Sequence, residues 1–169
     1  MKESKKIDIL GYPQEQHYTC GCATFRTALN SLGLKDVNEP NLEMIMGTTK
    51  TSGTHYNLMI EAASKFNLQV KSGSNGTLEE LDNLIDNGWV VIICFTIESP
   101  HYSVYTGNNG NHLFLYDPDW DGIRSFLIKK FIKNYWKVDI NKFKLLISEY
   151  KLIMNDTFNS DKWWIAYKK

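Results

Sequence analysis

The nine residues WVVIICFTI, Trp89–Ile97, constrain this chain more than any other stretch. They carry no charge and are mostly β-branched or aromatic, the residue types that suit a pleated strand. The run falls well short of the roughly 20 apolar residues that cross a bilayer as a helix. It therefore reads as a central strand buried on both faces, and the rest of the chain has to cover it.

Downstream the pattern continues as sheet. HYSVYTG (101–107) and HLFLYDP (112–118) are two further strands, and the intervening NNGN contains Asn109-Gly110, a strong hairpin signal. KWWIAY (162–167) reads as a last strand. Between them, Phe126 to Trp136 reads as a helix with Phe131, Ile132, Tyr135 and Trp136 inward, while FKLLISEYKLIM (143–154) fits helix and strand equally.

Upstream the period is helical. ATFRTALNSLG (23–33) places Phe25, Ala28, Leu29 and Leu32 on one side and ends at Gly33. TSGTHYNLMIEAASKFNL (51–68) opens on turn and capping residues and then spaces Leu58, Met59, Ala62, Ala63 and Phe66 as a helix face. TLEELDNLIDNG (77–88) has Thr77 as its cap, Glu80 as capping-box partner and Gly88 as its stop. Helices first and sheet second argue for an α+β fold, a helical N-terminal part packed on a C-terminal antiparallel sheet. No repeat or linker divides the 169 residues, so a single domain spanning 1–169 is expected, with 137–169 as an extension completing the sheet.

Charge excludes some classes of function. Lys+Arg and Asp+Glu are 19 each, so no net field draws the chain to nucleic acid or anionic lipid. The expected partner is a peptide or protein substrate, with no nucleic acid and no membrane span; composition leaves the oligomeric state open. The first residues, MKESKKIDILGYP, lack the apolar core of a signal peptide, and the expected location is cytoplasmic. Three cysteines, two of them one residue apart, make no disulfide framework.

Those two cysteines, in QEQHYTCGCATF (14–25), fall where the first helix begins. A helix N-terminus offers unpaired N–H groups and a positive dipole end, which favour a thiolate nucleophile. A zinc site from His17, Cys20 and Cys22 lacks a fourth ligand and the usual spacing. DPDWDG (117–122) lacks the downstream glutamate of a calcium loop. No metal or cofactor is called for.

A thiolate needs a base. Of four histidines, His17, His55 and His112 sit in loops or at element ends, whereas His101 opens a strand directly after the buried run. The Asn109-Gly110 hairpin sets residues near 102 against those near 117, which brings Asp117 within one or two residues of His101. Asp117 also precedes Pro118 as a turn-forming Asx residue, compatible with holding the imidazole. An oxyanion donor is available twice. Gln14 lies six residues before Cys20, and Gln16 lies six before Cys22, so spacing leaves both pairings open.

Taken together, Gln-x5-Cys-Gly, the LEEL…IDNGW-VVII middle and HYSVYTG…DP resemble the bacteriocin-processing cysteine peptidases, a papain-like group whose transporter-fused members cut leader peptides after a double glycine. The likeness runs from about residue 14 to 136. It implies a papain-like α+β fold, Cys20 as nucleophile with Gly21 behind it, His101 as base, Asp117 as orienter and Gln14 as oxyanion donor. Gly107 fits the turn region following the histidine strand in that family. Thr19 stands where an acidic residue often precedes the nucleophile, and Cys22 where a proline or small residue is frequent. No ATP-binding cassette accompanies the motifs, so a free-standing member is expected. The implied activity is a thiol-dependent hydrolase, foremost a cysteine peptidase working through a Cys-His-Asp triad and an acyl-thioester. The same machinery serves protein deamidation or transglutamination, and a catalytically inactive papain-like peptide-binding module is the reading from another class.

Overall fold

A computed structural model describes residues 7, 9–137 and 161–169. Five helices and six strands follow one another along it: α1 Cys20–Ser31, α2 Glu39–Ile45, α3 Tyr56–Lys65, β1 Gln69–Gly73, α4 Leu78–Asp86, β2 Val90–Thr96, β3 Pro100–Asn108, β4 His112–Asp117, β5 Gly122–Leu127, α5 Ile128–Asn134 and β6 Trp164–Lys168. The strands form one sheet in the order β1-β6-β2-β3-β4-β5, with every pairing antiparallel. The ambiguous segment 143–154 lies outside the described residues.

The apolar run forms β2, buried along its whole length between β6 and β3. Its side chains alternate between two cores. Val90, Ile92 and Cys94 join Phe25 and Leu29 of α1 and Met59 of α3 on one face. Val91, Ile93 and Phe95 join Leu81 and Leu84 of α4 and Phe131 of α5 on the other. The sheet is therefore covered by helices on both faces, which explains why β2 has no polar side.

Local signals account for most element ends. Thr77 Oγ1 accepts the Glu80 N–H at 3.1 Å, the cap expected for α4. Asn38 caps α2 through its side chain, with Pro40 in the first turn. The first residues of the expected 126–136 helix differ: Phe126 and Leu127 close β5, where Phe126 pairs with Leu113 and Leu127 with His112, and α5 begins only at Ile128. Gly107, expected in a turn, lies within β3. The ladder skips a residue between Tyr105 and Gly107, and Gly107 takes a φ of 126°, so a bulge rather than a turn needs the glycine.

Candidate active site

α1 starts on Cys20, and its first helical bond runs from the Ala23 N–H to the Thr19 carbonyl at 2.9 Å. The N–H groups of Cys20, Gly21 and Cys22 lie ahead of that bond, at the positive end of a twelve-residue helix. Thr19 folds the approach: its Oγ1 accepts the Gln16 N–H at 3.1 Å and donates to the Gln16 carbonyl at 2.9 Å. A buried carboxyl holds the same segment, since Glu39 Oε1 accepts the Glu15 N–H at 2.8 Å. Burial raises the pKa of that Glu39 side chain.

The two adjacent cysteines differ in environment. Cys20 is partly exposed. Cys22 is fully buried, its Sγ 3.2 Å from Thr48 Oγ1, and burial pushes its thiol up to about 12. Gly21 between them is a packing requirement, because a Cβ there would lie 2.5 Å from Thr54 Cβ. Cys94 is buried in β2, and its thiol is also pushed up by burial.

His101 lies near the start of β3, opposite Phe95 of β2, and packs edge-on against that ring with centroids 5.7 Å apart. Its Nε2 is 2.6 Å from Asp117 Oδ1. Burial lowers the proton affinity of the imidazole, but the Asp117 hydrogen bond and the nearby Cys20 thiol outweigh it and raise the pKa to about 10. Asp117 is buried, which alone would raise its pKa; the bonds from His101 and Arg124 reverse that and hold it below the ordinary carboxylate value. The Asx turn is present as well, with the Asp119 N–H donating to Asp117 Oδ1 at 3.0 Å.

Gln14 joins the group through its backbone. Its N–H donates to the Pro118 carbonyl at 3.0 Å, one residue beyond Asp117. Its side-chain amide donates to the Gln16 carbonyl at 2.9 Å, and its Oε1 is buried without a partner. Gln16 is exposed. The other histidines fall outside the arrangement: His17 is exposed against Tyr18, His55 precedes α3, and His112 pairs with Leu127 at the far end of β4.

One residue of the site escaped sequence reasoning. Arg124 of β5 donates from Nη1 to Asp117 Oδ2 at 2.6 Å. Its only sequence signal is a basic residue inside an otherwise plain strand. Among the aromatic residues near the motifs, Trp89, Trp163 and Trp164 are buried in the cores, and Trp120 is 72% exposed on the β4–β5 turn.

The model of the Peptidase C39-like family matches residues 6–141. The chain belongs to that family. Solved structures agree on the fold. The peptidase domain of Streptococcus ComA, a bifunctional ABC transporter involved in quorum sensing, superposes with a TM-score of 0.62 at 22% identity, covering 78% of this chain and 92% of that one. A double-glycine-motif protease from an AMS/PCAT transporter, in complex with its leader peptide, gives 0.61 at 20% identity over 75% and 84%. A C39-like peptidase from Bacillus anthracis gives 0.67 at 13% identity, covering 99% of this chain and 98% of its own. No curated protein matches the chain. Family and fold together support a hydrolase of the cysteine-peptidase type and bear out the α+β, papain-like expectation. Among the described residues no helix is long and apolar enough to cross a membrane.

Proposed function

We propose that this C39-like chain is a thiol-dependent peptidase in which Cys20 is the nucleophile, His101 the general acid–base, Asp117 its orienting partner and Gln14 an oxyanion donor. The observation that carries the reading is His101 itself. Asp117 engages its Nε2, which leaves Nδ1 for the Cys20 thiol at the head of α1.

The Cys20 sulfur, its proton passed to His101, attacks the scissile carbonyl carbon, forming the S–C bond and moving the π pair onto oxygen. The Cys20 N–H and the Gln14 amide stabilise that oxyanion. As the C–N bond breaks, His101 gives its proton to the departing amine, leaving an acyl-thioester. Water, deprotonated by His101, then attacks the thioester and releases the thiolate. The substrate is a peptide, and one relative was solved with a leader peptide bound. Deamidation or acyl transfer follows the same steps with a different leaving amine or attacking group.

Gln14 favours a second reading, a peptide-binding module without turnover, because its amide nitrogen is turned to the Gln16 carbonyl. Iodoacetamide at mildly acidic pH separates the two. An imidazolium-paired Cys20 is alkylated quickly there, His101→Ala slows the reaction, and Cys22 and Cys94 stay unmodified in the folded protein. Slow labelling of Cys20 that is indifferent to His101→Ala sinks the peptidase reading.

A further inference from the structure

Three strands carry the polar row of the site. β3 supplies His101, β4 supplies Asp117 and β5 supplies Arg124. Each contact runs along a diagonal of the ladder: Val104 faces Tyr116, Asp117 faces Gly122 and Leu115 faces Arg124. Asp117 therefore receives His101 on Oδ1 and Arg124 on Oδ2, both at 2.6 Å. The carboxylate is buried, whereas the Arg124 side chain is 35% exposed. The guanidinium carbon lies 5.0 Å from the Phe126 ring centroid and 5.8 Å from that of Trp120.

We propose that Arg124 is a positioning residue of this site: it fixes the plane of the Asp117 carboxylate and offsets part of its charge, so that His101 releases its proton more readily than from an unshared carboxylate. The inference rests on the reading of His101 as the acid–base group. A buried carboxylate bound to imidazolium alone holds the proton strongly, which slows its delivery to a leaving amine. A guanidinium on the second oxygen is always charged and draws on the same negative charge.

Other ionisable groups lie near this row among the described residues. The Cys20 thiol from α1 acts on the His101 ring, and Cys94 of β2 accepts from the His101 backbone. Asp121, on the turn, is hydrogen-bonded by the Tyr116 hydroxyl at 3.0 Å. Asp119 contributes its N–H to Asp117. Arg124 is the cation that pairs with Asp117 across the ladder.

The test follows His101 by NMR in full-length protein with isotope-labelled histidine. Arg124→Gln and Arg124→Met are titrated beside wild type, each also in a Cys20→Ala background, and Arg124→Lys serves as the conservative variant. The methionine keeps an apolar stem beside Phe126 and carries the test where the glutamine variant does not fold. The expected result is a shift of the His101 midpoint to higher pH in both charge-removing variants, with and without Cys20, and return toward wild type in Arg124→Lys. An unmoved midpoint in the folded charge-removing variants, with only lower stability, overturns the proposal and leaves Arg124 a strand anchor. Failure of the peptidase reading shows separately: Cys20→Ala alone then leaves the His101 midpoint in place, whereas loss of a genuine Cys20 partner lowers it.

Discussion

His101 and Asp117 meet on a diagonal of the β3–β4 ladder, with Nε2 2.6 Å from Oδ1. A diagonal partner is reached by the side chains rather than set by direct pairing, so its strength depends on holding the carboxylate in one orientation. The second oxygen, bound by Arg124, supplies that hold.

Asp117→Asn keeps the shape of the partner and removes its charge. Peptide hydrolysis should fall by about 10²- to 10⁴-fold while remaining measurable, and His101→Ala should abolish it. Steady-state kinetics on a peptide library scan checks this. Equal activity in wild type and Asp117→Asn excludes the orienting role.

Stability should depend on pH in a direction fixed by the same pair. The His101 pKa is raised from 6.5 to about 10, so its contribution is fully present below about pH 6.5 and is lost as pH rises towards 10. Asp117 has a lowered pKa, so its contribution is present above 3.8 and is lost as pH falls through the folded value. The two shifts have the His101–Asp117 interaction in common, which is worth on the order of a few kcal/mol and is counted once, while Cys20 adds to the first and Arg124 to the second. Urea midpoints should therefore decline from pH 7 to 10, and Asp117→Asn should flatten that decline.

Gly21→Ala should destabilise, against helix propensity. Alanine in a helix is ordinarily favoured over glycine by about 1 kcal/mol. Here the added Cβ would meet Thr54 Cβ at 2.5 Å and Oγ1 at 2.6 Å, and the Cβ, bonded directly to the backbone, cannot swing away. The expected net loss is about 1–3 kcal/mol by urea unfolding, with slower alkylation of the neighbouring Cys20. A gain in stability contradicts the packing described.

Elements whose signal is local were legible in the sequence. β2, the β3–β4 hairpin, α3 and α4 follow from apolar runs, an Asn-Gly turn and a threonine cap. β1 was not, because Gln69–Gly73 is half exposed and lacks strand alternation; its pairing with β6 makes it a strand. α2 was missed despite a readable Asn38-x-Pro40 signal, since only seven residues follow the cap. The contact between His101 and Asp117 was approached to within a residue. The turn is centred one residue beyond Asn109-Gly110, with Asn108 opposite Leu113, and the bulge before Gly107 takes back part of that shift and leaves Val104 opposite Tyr116. Arg124 was invisible because its partner lies across a strand pair whose second member, β5, gave no recognisable pattern.

β6 pairs Tyr167 with Val90 on one side and with Val70 on the other. A strand flanked on both sides thus waits for residues made long after both of its neighbours. Until they arrive, β2 carries an unpaired edge and β1 has nothing to join, while the hairpin bearing His101 and Asp117 can already close. Ribosome-bound chains lacking residues 161–169 should be protease-sensitive at β1 and prone to edge association through β2. The order of synthesis makes β6 the keystone of assembly.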